Sequence, residues 1–253
     1  MGTPQILNQV GVELEGGYPY LTINNITNPL DIKEFSTEEE RENYRLVTTT
    51  EDGSLSGRLP EGHCWHEIQT KPFPYLDLPR LLDIIKMFAP PHYNHTCGLH
   101  IHTSFMSDDL YGLIATKSFV NYMRSQLVQF CYELSQRFDY DTVETAKRLR
   151  DRLDGLNNYC LQNVKILPQM SEESSSDRYA FLNYCYTKHG TLECRVFPMM
   201  PVPLIQETVT FYLNTMLQWK GWNKIIQPQS KHRYFTFRES AYTQETISNE
   251  GGA

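Results

Sequence analysis

Four short segments of the chain combine acidic or imidazole side chains with the alternation of a β-strand. They read Gly11-Val-Glu-Leu-Glu-Gly, His66-Glu-Ile-Gln-Thr, Cys97-Gly-Leu-His-Ile-His-Thr and Leu192-Glu-Cys-Arg-Val-Phe. Residues i and i+2 of a strand point to the same side, about 7 Å apart, so each segment carries its polar groups on one face. Unpaired charge is costly to bury. Several such strands in one chain therefore indicate a cation-binding cavity.

The candidate metal ligands are mostly carboxylates, with one imidazole among them. They are Glu13, Glu15, Asp52, Glu67, His100 and Glu193. An oxygen-rich set of this kind suits Mg²⁺ or Mn²⁺ better than zinc, which in structural sites favours sulfur and nitrogen. So many acids would repel one another unless two or more divalent ions lay among them.

Two arginines accompany the last acidic strand. Arg195 shares a strand face with Glu193, and Arg178 opens the preceding strand. Both could hold phosphate oxygens in bidentate fashion. Divalent ions clamped by carboxylates, with arginines nearby, form the arrangement that phosphoryl transfer requires.

Each segment also has an ordinary structural explanation. An isolated Glu-x-Glu is more often a strand whose acids face water, and Asp52 could simply serve its Asp-Gly turn. His100 and His102 could be half-buried imidazoles with satisfied hydrogen bonds. The glutamate and arginine of the last strand could form an ion pair of small energetic value. The joint occurrence of these segments favours a shared site.

Composition excludes several classes of function. The 253 residues contain no apolar run of the roughly 18 residues that a membrane span needs, and residues 1–10 lack the pattern of a secretory signal. The net charge of −7 does not support general attraction to nucleic acid or to anionic membranes. The six cysteines form no CxxC pair, which predicts free thiols in a reducing, cytoplasmic compartment rather than structural zinc.

Strands and helices that could position these segments follow one another in an irregular order. The pattern predicts strands at 8–16, 44–50, 63–71, 98–105, 178–186 and 190–197, the last two as a hairpin. It predicts helices at 77–88, 108–136, 142–161 and 203–226. The fold class is therefore α+β with a mainly antiparallel sheet. We expect one domain over residues 1–241 and a frayed tail over residues 242–253.

Two charged segments are expected at the surface. Residues 17–42 are rich in turn residues and then acidic, which predicts a surface loop or a short helix. The basic run over residues 147–152 alternates with acids, which predicts an exposed helix face rather than a nucleic-acid site.

Six short motifs give the chain a resemblance to a known family. They are Gly-Val-Glu-Leu-Glu, Asp-Gly-Ser, Glu-Ile-Gln-Thr-Lys-Pro, Cys-Gly-Leu-His-Ile-His, Arg-Tyr-Ala-Phe-Leu-Asn and Leu-Glu-Cys-Arg-Val-Phe. In this order the chain resembles the amidoligases of the carboxylate–amine ligase superfamily, which includes glutamine synthetase and glutamate–cysteine ligase. The motifs span residues 11–197, about three quarters of the chain. Each motif alone is weak because short motifs recur by chance, but six in order are specific.

The resemblance implies a curved antiparallel sheet with the active site on its concave face and helices packed on the other face. It implies two metal ions. The residues carried over as ligands are Glu15, Glu67 and Asp52 for one ion, and Glu13, His100 and Glu193 for the other. By the same resemblance Arg195 neutralises the transferring phosphate, Arg178 makes a second phosphate or nucleotide contact, and His102 lies beside the nucleotide.

The chemistry that the resemblance implies uses ATP and Mg²⁺ or Mn²⁺. A substrate carboxylate attacks the γ-phosphate of ATP to give an acyl phosphate, and an amine then displaces phosphate to leave an amide. The expected partners are small-molecule or peptide carboxylates and amines, with nucleic acid only as a modified base, and a homo-oligomer is compatible with these features.

Two other functions stay open from the sequence. A metal-dependent hydrolase is one of them, since His-x-His at a strand end is also a feature of such enzymes. A catalytically silent binding or assembly protein that retains the fold is the other. Tight stoichiometric zinc would favour the hydrolase, and failure to bind nucleotide would favour the silent protein.

Overall fold

The computed structural model describes residues 5–28, 37–156, 160, 180–185 and 190–224. The strands are β1 Leu7–Pro19, β2 Val47–Thr50, β3 His63–Thr70, β4 Phe73–Pro74, β5 Gly98–Phe105, β6 Leu182–Cys185 and β7 Thr191–Pro198. The α-helices are α1 Tyr20–Thr27, α2 Glu38–Arg45, α3 Leu78–Phe88, α4 Asp108–Ile114, α5 Lys117–Ser135, α6 Tyr140–Leu153 and α7 Val202–Leu217. The predicted α+β class is confirmed.

The described strands form one open sheet. Its order is β2-β3-β1-β5-β7-β6, with the short β4 also pairing with β1. Every one of these pairings is antiparallel. The long strand β1 therefore lies in the middle, with β3 on one side and β5 on the other.

Strand alternation gives this sheet an apolar face and a polar face. On β1, Val12 and Leu14 are buried among the core residues, and the glutamates at 13 and 15 point to the opposite side. Helix α7 packs on the apolar face, where Tyr212 meets the ring of Phe197 edge-on at 6.0 Å. Helix α3 lies beside α7, since the Gln206 amide donates to the carbonyl of Leu82.

A β-bulge in β7 shapes the polar face. Between the paired residues Leu99–Phe197 and Ile101–Cys194, β5 has one residue and β7 has two. The extra residue keeps Cys194 and Phe197 on the apolar face, although three positions separate them. A second register shift interrupts the pairing of β1 with β5 near Leu7. Bulges bend a sheet and increase its twist. The concave active-site face that the resemblance implies stays a prediction.

Three predicted helices end or break earlier than the sequence pattern indicated. The helix predicted at 108–136 is two helices, because the Thr116 side chain accepts the N–H of Phe119 and starts α5 anew. The helix predicted at 142–161 ends at Leu153, where Gly155 takes a φ of 71°. Glycine is favoured there because a left-handed residue commonly ends a helix. The helix predicted at 203–226 ends at Leu217 and gives way to a 3₁₀ turn at Lys220–Lys224.

The segment between β1 and β3 is more helical than predicted. Residues 17–42 are predicted as a loop or a short helix, but β1 continues to Pro19, and α1 and the start of α2 follow it. The strand expected from residue 44 begins only at Val47, since Tyr44 and Arg45 complete α2. The side chain of Thr37 accepts the N–H of Glu40 and caps this helix, as threonine commonly does at a helix start.

The basic run on α6 is only partly an exposed face. Lys147 and Arg150 are exposed, as the alternating charges predicted. Arg152 is instead buried, with 4% of its surface accessible. The prediction is wrong at this position because helical periodicity turns residue 152 to the same side as the buried Leu149.

Residues Met1–Gly221 form one compact unit, and Trp222–Ala253 form another, of which the structure describes residues 222–224. The expected domain over 1–241 and tail over 242–253 stay predictions. In the described part of the chain, no helix has both the length and the apolar character needed to cross a membrane.

Replacing Leu14 by alanine is expected to lower the free energy of unfolding by about 2–5 kcal/mol, because the side chain is fully buried on the apolar face. Chemical denaturation measures the change. Gln9 lies exposed on the same strand, and Gln9→Ala should shift the free energy by no more than about 0.5 kcal/mol. Equal losses of unfolding free energy in the two variants would contradict the assignment of Leu14 to the buried apolar face.

Candidate metal centre

The register of the central strands brings distant acidic and imidazole side chains together. Glu13 of β1 stands opposite His100 of β5, and Glu15 stands opposite Glu67 of β3. Opposed residues of antiparallel strands share a face, with β-carbons about 4.5–5.5 Å apart. The polar face of the sheet therefore gathers residues that are far apart in the chain, since Glu13 and His100 are separated by 87 positions.

The first group of side chains, here called the Glu13 cluster, consists of Glu13, His100 and Glu193. The Nδ1 atom of His100 lies 2.8 Å from Glu13 Oε2 and 3.6 Å from Glu193 Oε1. His100 and Glu193 are buried, and Glu13 is half-buried. One ligand atom from each residue lies within 4.8 Å of the others, which is close enough for one cation to bind all three.

The second group, here called the Glu15 cluster, consists of Glu15, Glu67 and His100. The Nε2 atom of His100 lies 3.4 Å from Glu15 Oε1. Ligand atoms of these three residues also lie within 4.8 Å of one another. Because His100 belongs to both groups, the two clusters adjoin, and its two ring nitrogens face one cluster each.

In each cluster, a hydrogen bond holds one oxygen of a carboxylate. The other oxygen of the same carboxylate points into the cluster. The backbone N–H of Gly98 donates to Glu15 Oε2 at 2.5 Å. The amide of Asn183 donates to Glu193 Oε2 at 2.7 Å. Contacts of this kind orient metal ligands and tune their affinity. Both carboxylates therefore have a fixed direction.

The supporting role of Asn183 was missed from the sequence, although a signal was present. The predicted hairpin turns around Lys188-His-Gly, and an antiparallel hairpin folded there places Asn183 opposite Glu193, as the structure shows. The role of the Gly98 backbone had no sequence signal, because a backbone N–H is common to almost every residue.

Charges within the two clusters shift the pKa values of their members. Burial disfavours the charged form of His100, but the carboxylate of Glu15 and the hydrogen bond to Glu13 outweigh it and raise the pKa of His100 to about 9. Burial and then the charge of Glu13 raise the pKa of Glu67 to about 7. Burial also opposes ionisation of Glu13, yet its hydrogen bond with His100 and the nearby imidazole of His102 hold its pKa well below the ordinary value. Positive charge thus stabilises this carboxylate strongly.

Arg195 lies at the edge of the Glu13 cluster. Its Nη1 atom donates to Glu193 Oε1 at 2.6 Å, and its side chain is 12% exposed. Burial opposes the charge on Glu193, but His100 and Arg195 outweigh burial and lower the pKa of this carboxyl group. A guanidinium held here is close to any ion that the cluster would bind.

His102 faces the Glu13 cluster from the next position on the same face. Its Nδ1 atom lies 3.2 Å from the Thr191 hydroxyl. Its Nε2 atom lies 3.0 Å from Glu13 Oε1, but the contact is poorly aligned. Among the described residues this buried nitrogen has no hydrogen-bond partner. An unsatisfied buried nitrogen beside carboxylates fits a centre that takes up a cation or a ligand.

Of the predicted site residues that the structure describes, Asp52 is not brought into this arrangement. The carboxylate of Asp52 accepts the N–H of Ser54 at 2.8 Å within its own turn, and neither cluster includes it. Arg178 lies outside the described residues. Their roles as a metal ligand and as a phosphate contact stay predictions.

Comparison with protein-family models, with curated proteins and with solved structures gives no match to this chain. The geometry of the two clusters and the chemistry of their side chains are therefore the structural observations that bear on function. The set contains carboxylates and one shared imidazole, with no cysteine in either cluster of the described residues. This composition fits a hard divalent cation such as Mg²⁺ or Mn²⁺.

Replacing Gly98 by alanine is expected to weaken divalent binding at the Glu15 cluster by about 10–100-fold. A β-carbon at this position would lie 3.0 Å from His100 Nε2 and 3.1 Å from Glu15 Oε2, so the methyl group would displace both. Titration calorimetry with Mn²⁺ measures the affinity. Gly112 has open space around it, and Gly112→Ala should leave the affinity unchanged. Identical affinities in the two variants would contradict this reading of the cluster.

Proposed function

We propose that this protein is an ATP-dependent ligase that joins a carboxylate to an amine through an acyl phosphate. The observation that carries the proposal is the pair of adjoining carboxylate–imidazole clusters on one sheet face, with Arg195 beside them. Phosphoryl transfer depends on this combination of divalent ions and cationic side chains. The resemblance of the six motifs to amidoligases supports the choice of reaction class.

The clusters have the donor sets for two divalent ions. Glu13 and Glu193 would hold one ion together with His100, and Glu15 and Glu67 would hold the other. When bound, such ions neutralise the phosphate oxygens of ATP and favour transfer of the γ-phosphoryl group. Divalent ions would also neutralise the carboxylates that the fold keeps close together on a half-buried face.

Arg195 is the residue that we propose to stabilise the transferring phosphate. Its contact with Glu193 fixes the guanidinium beside the Glu13 cluster, and a fixed cation stabilises negative charge that develops during transfer. We propose Arg178 as a second phosphate contact and His102 as a neighbour of the nucleotide, on the resemblance of their motifs.

Formation of an acyl phosphate explains why such an enzyme would consume ATP. A carboxylate is a poor electrophile because its leaving group would be an oxide. Transfer of the γ-phosphoryl group to the carboxylate oxygen supplies phosphate as a leaving group. The amine then forms the new C–N bond, releases inorganic phosphate and loses a proton. The substrates would be small-molecule or peptide carboxylates and amines.

All six cysteines are free thiols. Free, mostly buried thiols are typical of proteins in a reducing compartment, and we propose that the protein acts in the cytoplasm. A membrane partner is not part of the proposal.

The test is incubation of the protein with ATP, Mg²⁺ and a pooled set of carboxylates and amines, followed by mass spectrometry. We expect ADP release that requires both substrates, and a product lighter than their sum by one water. Glu193→Gln is the matched inactive variant. Zinc-dependent cleavage without ATP would instead indicate a hydrolase. Failure to bind a non-hydrolysable ATP analogue with Mg²⁺ would indicate a silent protein, and either result overturns the proposal.

A further inference from the structure

Arg152 of α6 is a buried arginine that the proposed chemistry does not use. Its Nη1 atom donates to the carbonyl of Phe197 at 3.0 Å, and its Nη2 atom donates to the carbonyl of Cys97 at 3.0 Å. Phe197 lies near the end of β7, and Cys97 immediately precedes β5. The guanidinium therefore joins the ends of two neighbouring strands.

One of these contacts reaches the peptide unit that anchors Glu15. The Cys97 carbonyl and the Gly98 N–H belong to the same planar peptide. Arg152 donates to the oxygen of this peptide, and the N–H of the same peptide donates to Glu15 Oε2 at 2.5 Å. A charged donor on the carbonyl polarises the peptide and strengthens the hydrogen bond that the N–H donates. Arg152, the peptide and Glu15 thus form one chain of hydrogen bonds.

The arginine stands close to the carboxylate without competing for it. Arg152 Nη1 and Glu15 Oε2 both lie within 3.2 Å of the point where a β-carbon on Gly98 would stand. Yet the described hydrogen bonds of the guanidinium go to backbone carbonyls, which leaves Glu15 Oε1 directed at His100 Nε2. Arg152 thereby places a positive charge near Glu15, and the Oε1 atom of Glu15 still points into the cluster.

Burying a guanidinium is costly unless its donors and its charge are used. A methionine of similar length could fill the space without that cost. The retained charge therefore needs a reason beyond packing. The chain of hydrogen bonds to Glu15 supplies one, because a metal ligand must be both ionised and correctly oriented.

We propose that Arg152 is a positioning residue for the Glu15 cluster. It fixes the Cys97–Gly98 peptide, and the peptide fixes Glu15 so that its second oxygen points toward Glu67 and His100. Among the described hydrogen bonds, none links Arg152 to the Glu13 cluster, which Asn183 supports instead. This inference rests on the proposed function, since it requires the Glu15 cluster to hold a divalent ion.

The first test follows the Gly98 amide by NMR, with no metal added. Labelling with ¹⁵N-glycine restricts the spectrum to 14 glycines, and the signal lost in Gly98→Ala identifies Gly98. A short hydrogen bond to a carboxylate shifts the amide proton downfield. We expect this proton to move upfield in Arg152→Met and by a smaller amount in Arg152→Lys. Arg150 is exposed and paired with Asp154 on the same helix, and Arg150→Lys is the matched control.

The second test is titration of the same variants with Mn²⁺. We expect the wild-type protein to bind two ions, and Arg152→Met to weaken one of them by about 10–100-fold while the other is unchanged. Arg152→Lys keeps the charge and one donor, and it should recover part of the loss. If Arg152→Met does not fold, the lysine variant carries both tests.

Two results would overturn the role of Arg152 alone. One is an unmoved Gly98 signal together with two unweakened Mn²⁺ sites. The other is a parallel loss at both sites with reduced thermal stability, which describes a purely structural arginine. A wild-type protein that does not bind two Mn²⁺ ions would contradict the proposed function and this inference with it, so the two failures are distinguishable.

Discussion

ADP release is expected to fall by more than about a hundredfold when Glu13 is replaced by glutamine, because a metal ligand contributes at least as much as its supporting contacts. The amide keeps the shape of the side chain but loses the charge that His100 and His102 now surround. Glu193→Gln removes the other carboxylate of the Glu13 cluster and should have the same effect. A coupled assay for ADP, run with the substrates found in the pooled screen, measures the rate.

The fold should survive these substitutions, since both carboxylates project from the polar face of the sheet and fill no part of the apolar core. Circular dichroism and thermal denaturation check this. Glu38→Gln is the matched control, because that glutamate is 64% exposed on α2, and its rate should equal that of the wild type. Wild-type ADP release in both Glu13→Gln and Glu193→Gln would remove the Glu13 cluster from the mechanism.

Affinity for Mn²⁺ at the Glu13 cluster is expected to rise about tenfold for each pH unit between pH 6 and pH 8. The pKa of His100 is raised to about 9, so the imidazole carries a proton in this range and must release it before it can ligate an ion. One proton released per ion bound gives this slope. At the Glu15 cluster the affinity should rise mainly below pH 7, because Glu67, whose pKa is raised to about 7, must lose a proton there before it can ligate the second ion.

Calorimetry of the metal-depleted protein at pH 6, 7 and 8 measures this dependence, and repetition in buffers of different ionisation enthalpy counts the protons released. Glu67→Gln should remove the pH dependence of binding at the Glu15 cluster and leave that at the Glu13 cluster. His100→Gln should remove the pH dependence of binding at the Glu13 cluster and weaken that site throughout. Affinities that do not change between pH 6 and pH 8 at either cluster would show that neither group binds an ion.

Much of the sheet could be predicted from the sequence because strand alternation is a local property. The strand over residues 98–105 has the predicted bounds, and His63–Thr70 differs from its prediction by one residue. The same alternation gives the face of each side chain, so Glu13 and Glu15 could be placed together on one side of β1 before any pairing was known.

The order and register of the strands could not be derived in this way. Nothing local in β1 indicates that Glu13 meets His100 while Glu15 meets Glu67, because those pairings depend on how whole strands pack. The hairpin is the exception, since a short turn fixes its own register. The two clusters therefore meet at His100 only once the whole sheet has formed.

Arg152 shows why part of the site was missed. In sequence it belongs to a run of alternating charges, and such a run is typical of a solvated helix face. Helical periodicity places it on the same side as Leu149, but the packing of α6 near the ends of β5 and β7, which buries that side, is not encoded locally. Helix ends had readable signals by comparison, since Thr116 and Gly155 both stand at the breaks that the periodicity overlooked.

Diffraction from crystals soaked in Mn²⁺, with data collected to reveal the anomalous signal of manganese, would locate the bound ions in the protein. We expect two peaks on the polar face of the sheet. One should be bound by Glu13, Glu193 and His100, and the other should be bound by Glu15 and Glu67. Crystals that show manganese only at other surfaces of the protein, or none at fully occupying concentrations, would contradict the account.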